Sequence, residues 1–196
     1  MPRLELASGR HLRPVEARDA PELHALIEAN RAHLARWLAW AEPQTPSQTE
    51  QYVARAHSQR AANDGFQAAI IERGRIIGMV GFHGIDWPNR ATSLGYWLDQ
   101  DAQGRGAMTE AVAAMVDHAF AEWGLNRVEI RLDVENARSR ALAERLGFTR
   151  EGVLRQAMWV ARDFHDDAVY SMLAGEWRER SARAARASGA RGEPIR

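Results

Sequence analysis

Six consecutive residues, Gln103-Gly104-Arg105-Gly106-Ala107-Met108, carry the strongest chemical signal in the chain. They join a β-rich run, Thr92 to Leu98, to a run of helical periodicity that starts at Met108. A strand, a glycine-bearing turn and a helix N-terminus together make an anion site. Free backbone N–H groups converge there, and the helix dipole favours negative charge. The glycines let the backbone approach a phosphate closely, and Arg105 offers a charge-assisted contact. The pattern is not the dinucleotide fingerprint, whose glycines stand at other offsets with an acidic residue further on. It is not the nucleoside-triphosphate loop either, because no Gly-Lys-Ser/Thr follows. A lone glycine pair also serves simply to connect a strand to a helix, so these residues alone do not name the ligand.

A second group lies downstream. Ser139 follows Asn136 by three positions and opens a short helical run that ends at Leu146-Gly147. Ser139 reads equally as an N-cap, where serine is favoured, and as a hydroxyl that could serve a reaction. Asn136 suits a turn. Tyr96 and Trp97 read first as packing residues. The seven histidines show no metal-ligand spacing. His24, His33 and His57 fall in helical runs as ordinary surface residues, whereas His83 stands near Asp86 after a strand. His165-Asp166-Asp167 reads as a polar loop before the last strand rather than as a metal cluster.

The elements that must position these residues can be read from periodicity and turn chemistry. Leu4-Glu5-Leu6 and His11-Leu12-Arg13 flank Ser8-Gly9 as a first hairpin. Asp19-Ala20-Pro21-Glu22 predicts a helix start capped by Asp19, with Glu22 in a capping-box position. Leu23, Leu26, Ile27, Asn30 and Leu34 continue at helical spacing to Trp37-Leu38-Ala39-Trp40. Thr45-Pro46-Ser47-Gln48 opens a second helix. Strands follow over Phe66–Ile71, Ile76–Phe82 and Thr92–Leu98, separated by turns at Arg73-Gly74 and Pro88-Asn89-Arg90. Met108, Ala111, Val112, Met115, Val116, Ala119 and Phe120 share one helix face, stopped at Gly124. Arg127–Val134, Thr149–Val160 and Ala168–Leu173 complete the strands. Residues 1–175 read as one domain, and 176–196 as an Ala/Arg-rich solvated or frayed tail.

Composition narrows the class. The chain has 196 residues, enough for one full core. Its formal net charge is zero, which argues against a duplex nucleic-acid binder. It contains no cysteine, so a disulfide framework, a thiolate metal site and a cysteine nucleophile are all excluded. No apolar run reaches transmembrane length, and Met1-Pro2-Arg3-Leu4-Glu5 lacks the apolar region of a signal peptide. The expectation is a cytoplasmic enzyme or binding domain with no membrane contact.

The glycine loop resembles the acyl-CoA pyrophosphate loop of the GCN5-related N-acetyltransferase (GNAT) family, Gln/Arg-x-x-Gly-x-Gly/Ala. Gln103 and Gly106 match, and Met108 departs at the last small position, as it does in the RimJ/RimL-type ribosomal-protein N-terminal acetyltransferases. Leu94-Gly95-Tyr96-Trp97-Leu98 is similar to that subgroup's splayed fourth strand, which pairs with the pantetheine arm. Asn136-Ala137-Arg138-Ser139, Leu146-Gly147-Phe148 and Glu151-Gly152 are similar to its second cofactor motif. The resemblance runs from Leu4 to Leu173 and includes Trp37-Leu38-Ala39-Trp40. It implies an α/β fold, a mixed and mostly antiparallel sheet of about seven strands with helices on both faces. It implies acetyl-CoA as co-substrate, no metal, and acetyl transfer to a primary amine by direct attack in a ternary complex. Cofactor contacts are then expected from Tyr96, Trp97, Leu98, Gln103, Gly104, Arg105, Gly106, Ala107, Met108 and Asn136. Trp97's backbone is expected to face the pantetheine, and a backbone N–H near Tyr96 to Leu98 to polarise the carbonyl. Ser139 matches the subgroup's proposed acid, while the tyrosine many family members use falls at Ala143.

The same resemblance places Met158 and Ser93 where family carboxylates are expected, so the base is missing. Asp86 and Asp163 are the nearest substitutes in sequence, with His83 the next to consider. The favoured reading is that the acceptor amine loses its proton to water. The acceptor is expected to be a protein N-terminus, ribosomal in type; a small amine, or a non-catalytic acyl-CoA-binding module, is the alternative. A homodimer is left open.

Overall fold

The computed structural model describes residues 3–189. Its centre is a mixed sheet of eight strands among those residues, in the order β1-β2-β3-β4-β5-β6-β8-β7. The strands are β1 (Leu4–Glu5), β2 (His11–Pro14), β3 (Gln67–Glu72), β4 (Arg75–Asp86), β5 (Ala91–Leu98), β6 (Arg127–Asp133), β7 (Thr149–Val160) and β8 (Asp163–Leu173). The eighth strand, beyond the seven implied by the resemblance, is accounted for by the two-residue β1, held against β2 by the Leu4↔Leu12 register. All neighbours are antiparallel except β5 and β6. A parallel pair needs a crossover, and the helix α4 (Ala107–Ala121) supplies it.

Helices cover both faces, as expected. On one face α4, α5 (Ala137–Arg145) and α6 (Ala174–Gly189) accompany a core of Phe82, Leu94, Met115, Ile130 and Tyr170. On the other, α1 (Ala20–Ala29) and α3 (Pro46–Ala61) cover Ile71, Ile76 and Met79. The predicted helix from Asp19 to Leu34 breaks at Asn30 (φ −108°), so Arg31–Leu34 form a separate turn of helix, α2. The Nδ2 of Asn30 donates to the Leu26 carbonyl, and its Oδ1 accepts from the Gln100 N–H. A tertiary contact therefore outweighs the helical periodicity here.

Three local expectations change. Asp19 does not cap α1: its carboxylate binds the Arg13 guanidinium at 2.6 and 2.8 Å and accepts the Glu16 N–H. Glu22 instead accepts the Ile76 N–H at 2.8 Å and ties α1 to β4. The segment His165-Asp166-Asp167 lies within β8 and not in a loop. The Ala/Arg-rich segment forms α6 as far as Gly189, where a frayed end was expected; residues 190–196 lie outside the described ones. Trp177 of α6 is buried, and its Nε1–H donates to Asp117 of α4 at 2.6 Å. The predicted capping box at Thr45 and Gln48 is present in both directions.

Trp177→Ala removes a buried indole and its hydrogen bond. A loss of about 3–5 kcal/mol is expected from such a truncation, seen as a melting temperature lowered by roughly 10 °C. Thermal unfolding followed by circular dichroism checks it; an unchanged midpoint would mean that α6 contributes nothing to the core.

Candidate active site

The site begins where two strands part. β5 and β6 pair from Ala91↔Arg127 to Leu94↔Ile130 and then diverge. β5 nevertheless stays paired with β4 as far as Gly78↔Leu98. Residues Gly95 to Leu98 thus have one satisfied edge and one open edge. Backbone direction alternates along a strand. The Asp99 N–H donates to the Ile77 carbonyl of β4 at 2.8 Å, and the Trp97 carbonyl also points at β4. By alternation the N–H groups of Tyr96 and Leu98 face the opening. The backbone of Trp97 is therefore turned away from it, contrary to expectation.

The opening leads into a cleft of about 650 Å³ on the α4/α5 side. Tyr96, Trp97, Leu98, Gln103, Gly104, Gly106, Ala107, Met108, Asn136 and Ser139 all line it. These residues span more than forty positions of sequence, so only the fold brings them to one wall. Gly104 and Gly106 both adopt left-handed backbone, φ 75° and 76°, which a side chain would strain. A Cβ at either position would meet no atom within 4 Å. Gly106 is also the N-cap of α4, and no side chain caps that end. Its N–H groups and dipole are left facing the cleft, the arrangement suited to a phosphate.

Arg105 is the exception among the expected residues. It does not line the cleft; its guanidinium lies 3.3 Å from Glu72 and donates to the Asp101 carbonyl at 3.2 Å. The buried Arg10 holds the other Glu72 oxygen at 2.7 Å and donates to the Arg105 carbonyl at 3.4 Å. This network braces the loop from behind. The cations that do line the cleft are Arg138 and Arg145, which the sequence reading did not single out. Arg138 donates to Gln103 Oε1, while Gln103 Nε2 meets His33 Nε2 at 2.8 Å. His33 was read as an ordinary surface histidine but forms part of the wall. Burial, followed by the charges of Arg138 and Arg36, lowers its pKa, which keeps the ring neutral beside the arginines.

Asn136, and not Ser139, caps α5: its side chain accepts the Ser139 N–H at 3.1 Å. Ser139 is thereby freed from a capping role. Its hydroxyl lies 2.7 Å from the Tyr96 hydroxyl across the cleft. Burial pushes the Tyr96 phenol up to about 12, with the Ser139 hydrogen bond opposing that rise. The pair stays protonated at neutral pH and can donate to an anion formed between them.

The expected substitute bases lie elsewhere. Asp86 is exposed and held by Asn89 at 2.7 Å, and Asp163 accepts the Phe164 N–H beside the hairpin turn. His83 rests its ring over Gly95, where a Cβ would come within 2.3 Å of its Nε2, and meets Ser93 at 3.2 Å. Glu129 is in register with Ser93 but is paired with Arg127 and Arg131. Burial opposes its ionisation, but those hydrogen bonds prevail and hold it below the usual carboxylate range. None of these is poised to take a proton. Among the described residues no group of three or more His, Asp or Glu side chains is placed to hold a metal ion. No helix among them is long and apolar enough to cross a membrane.

Comparison with known proteins gives this arrangement a family. Residues 10–149 match the family model described as an acetyltransferase (GNAT) domain. The chain is 36% identical over 168 residues to the Bacillus subtilis (strain 168) protein named "Putative ribosomal N-acetyltransferase YdaF", covering 85% of this chain and 92% of that one. It is 27% identical over 171 residues to the Escherichia coli (strain K12) ribosomal-protein-serine acetyltransferase, covering 87% and 96%. A solved structure of RimL, a ribosomal L7/L12 alpha-N-protein acetyltransferase in complex with coenzyme A, superposes with a TM-score of 0.85 at 27% identity, covering 89% of this chain and 99% of that one. The glycine loop at a bare helix N-terminus, the strand that leaves its neighbour and the extent of these matches agree: the chain belongs to the GNAT family and is an acetyl-CoA-dependent N-acetyltransferase.

Proposed function

We propose that the protein transfers the acetyl group of acetyl-CoA directly to the α-amine of a protein N-terminus, ribosomal in type and in the cytoplasm. The observation that carries this reading is the parting of β5 from β6 beside the uncapped end of α4. It leaves one open strand edge for an extended acyl-pantetheine arm and one helix terminus for its pyrophosphate. The relatives named for ribosomal-protein acetylation, aligned over most of both chains, support the acceptor class.

In this mechanism the N–H groups of Tyr96 and Leu98 take up the arm and polarise the thioester carbonyl. Catalysis is then chiefly positioning and charge stabilisation. The leaving thiolate falls beside the Ser139–Tyr96 hydroxyl pair. A phenol held at about 12 gives its proton to a thiolate titrating near about 8.5 only at a cost of about 5 kcal/mol. The pair therefore stabilises the thiolate by hydrogen bonding, and solvent makes up the proton. The acceptor class fits the same arithmetic. An α-amine of pKa about 7.7–8.0 is roughly a tenth neutral at pH 7, whereas a lysine near about 10.4 is neutral to well under a thousandth.

Gly106→Asp puts a side chain and a negative charge at the phosphate end. Acetyl-CoA affinity is expected to fall by more than about thirtyfold, equivalent to ~2 kcal/mol, with a melting temperature lowered by only a few degrees from the left-handed backbone at that position. Calorimetry on both proteins measures it, and equal affinities would remove the pyrophosphate from this loop.

Ser139→Ala and Tyr96→Phe each delete half of the hydroxyl pair and leave the Asn136 cap intact. Each should lower kcat about tenfold or more while acetyl-CoA affinity stays within a few-fold. Thiol release with an N-terminal peptide, read beside intact-mass analysis of the product, checks the effect and the acceptor together. A peptide left unmodified while small amines are acetylated would overturn the acceptor class.

A further inference from the structure

We propose that His165, oriented by Asp133, takes the proton from the acceptor amine, and that the unpartnered Oδ1 of Asp167 receives the amine's N–H beside it. This rests on the reading that the acceptor is a primary amine.

The three residues form a cluster separate from the cofactor cleft. Asp133 ends β6, and its backbone carbonyl accepts the Asn136 N–H at 2.9 Å, so it stands three residues from the cleft wall. Asp133 and Asp167 are direct cross-strand partners of β6 and β8. Their side chains lie on the sheet face opposite Leu132 and Ala168, which belong to the core beneath α4 and α5. The cofactor cleft is on the α4/α5 side, and the cluster is on the other. Where strands are paired, the sheet separates the two faces. Past Leu94 and Ile130 it does not, and there an amine from one face can reach a thioester from the other.

The geometry assigns the roles. Asp133 is almost wholly buried and meets His165 Nδ1 at 2.5 Å. A carboxylate only accepts, so Nδ1 carries the hydrogen, and in the neutral ring Nε2 then holds the lone pair. Among the described residues nothing hydrogen-bonds to that Nε2, and the ring is partly open to solvent with 26% of its side chain exposed. An imidazole fixed by a buried carboxylate is the arrangement of a general base. Asp167 supplies the second observation. It is 5% exposed, and its Oδ1 has no hydrogen-bond partner. A buried carboxylate oxygen left without a donor is costly unless a ligand provides one. Burial pushes this carboxyl up; Arg131 opposes the rise and Asp133 adds to it. The charged groups near the cluster are Arg131 and Asp133 of β6, Asp167 of β8, Glu135 just beyond β6, whose N–H the Asp133 carboxylate accepts, and Arg155 in the β7 bulge between Leu154 and Met158. From β7 the facing partners are Leu154 and Met158, both uncharged. His83 lacks such support, since its Nδ1 faces a hydroxyl and its Nε2 is packed over Gly95.

The step balances. One ammonium proton passes to His165 Nε2, and the freed nitrogen pair forms the bond to the acetyl carbonyl carbon. The carbon–sulfur bond breaks with its pair on sulfur. The nitrogen's surplus proton reaches the sulfur through solvent, and His165 returns its own to solvent.

The test uses the full chain, acetyl-CoA and two N-terminal peptides of different amine basicity. Wild type should show a kcat/KM midpoint that is the same for both peptides. His165→Gln should lower kcat/KM about a hundredfold or more and make the midpoint follow each peptide's own amine, with acetyl-CoA affinity unchanged by calorimetry. Asp133→Asn, which reverses the ring's hydrogen bond, should lower kcat more than it raises KM. Asp167→Asn should mainly raise KM for the peptide. A fixed midpoint surviving in His165→Gln, or vanishing in His83→Ala instead, overturns the proposal while leaving acetyl transfer intact. Wild type that binds acetyl-CoA but modifies no amine refutes the acetyl-transfer reading, and this proposal with it.

Discussion

A strand that abandons its neighbour in mid-sheet leaves backbone N–H and C=O groups unpaired, and such groups are expensive away from water. β5 does this after Leu94, yet it stays paired with β4 from Leu94 to Leu98. The unbroken edge holds the broken one in shape. Every other feature of the site is placed with respect to that opening. The bare N-terminus of α4 lies at its mouth, and the Asn136-capped start of α5 brings Ser139 to Tyr96. Pairing the two strands to their ends would satisfy the backbone and abolish the site.

The two sides of the opening also differ in the polar groups they carry. The cleft side carries Arg138, Arg145 and a helix N-terminus, all suited to an anionic ligand. The opposite face carries Asp133 and Asp167, suited to a cation. A net charge of zero conceals this separation. The side chain of Arg105 in the glycine loop turns to Glu72, which Arg10 also holds, and does not line the cleft. Loop shape, rather than the loop's own side-chain charge, sets how its backbone N–H groups meet the cleft.

Cap assignment shows how far local reading reaches. Thr45 and Gln48 form the reciprocal cap that their spacing predicts, because both partners lie within one turn. Asp19 and Ser139 carry equally good cap chemistry, yet Asp19 does not cap α1 and Ser139 does not cap α5. Asp19 has a stronger partner in Arg13, and Asn136 already fills the position before Ser139. An ion pair across elements outweighs a cap worth about 1 kcal/mol. Of the tail residues whose burial is described, Trp177 alone is buried, and it packs the first turn of α6 against the core.

The sequence by itself determined most strands, the long helix α4 and the glycine loop before it, but not the break at Asn30 or the helix α6. Strand alternation, the apolar face of α4 and two glycines at a strand–helix junction are local patterns, and local patterns survive into the fold. The resemblance already grouped Tyr96, Gln103, Asn136 and Ser139 in one site; tertiary structure decided which distant side chains touch one another. His33 meets Gln103 across 70 positions, Tyr96 meets Ser139 across 43, and Asp133 meets His165 across 32. Nothing in their spacing could announce these contacts. They follow from sheet order and from strand register, where a slip of one residue would turn every side chain to the other face.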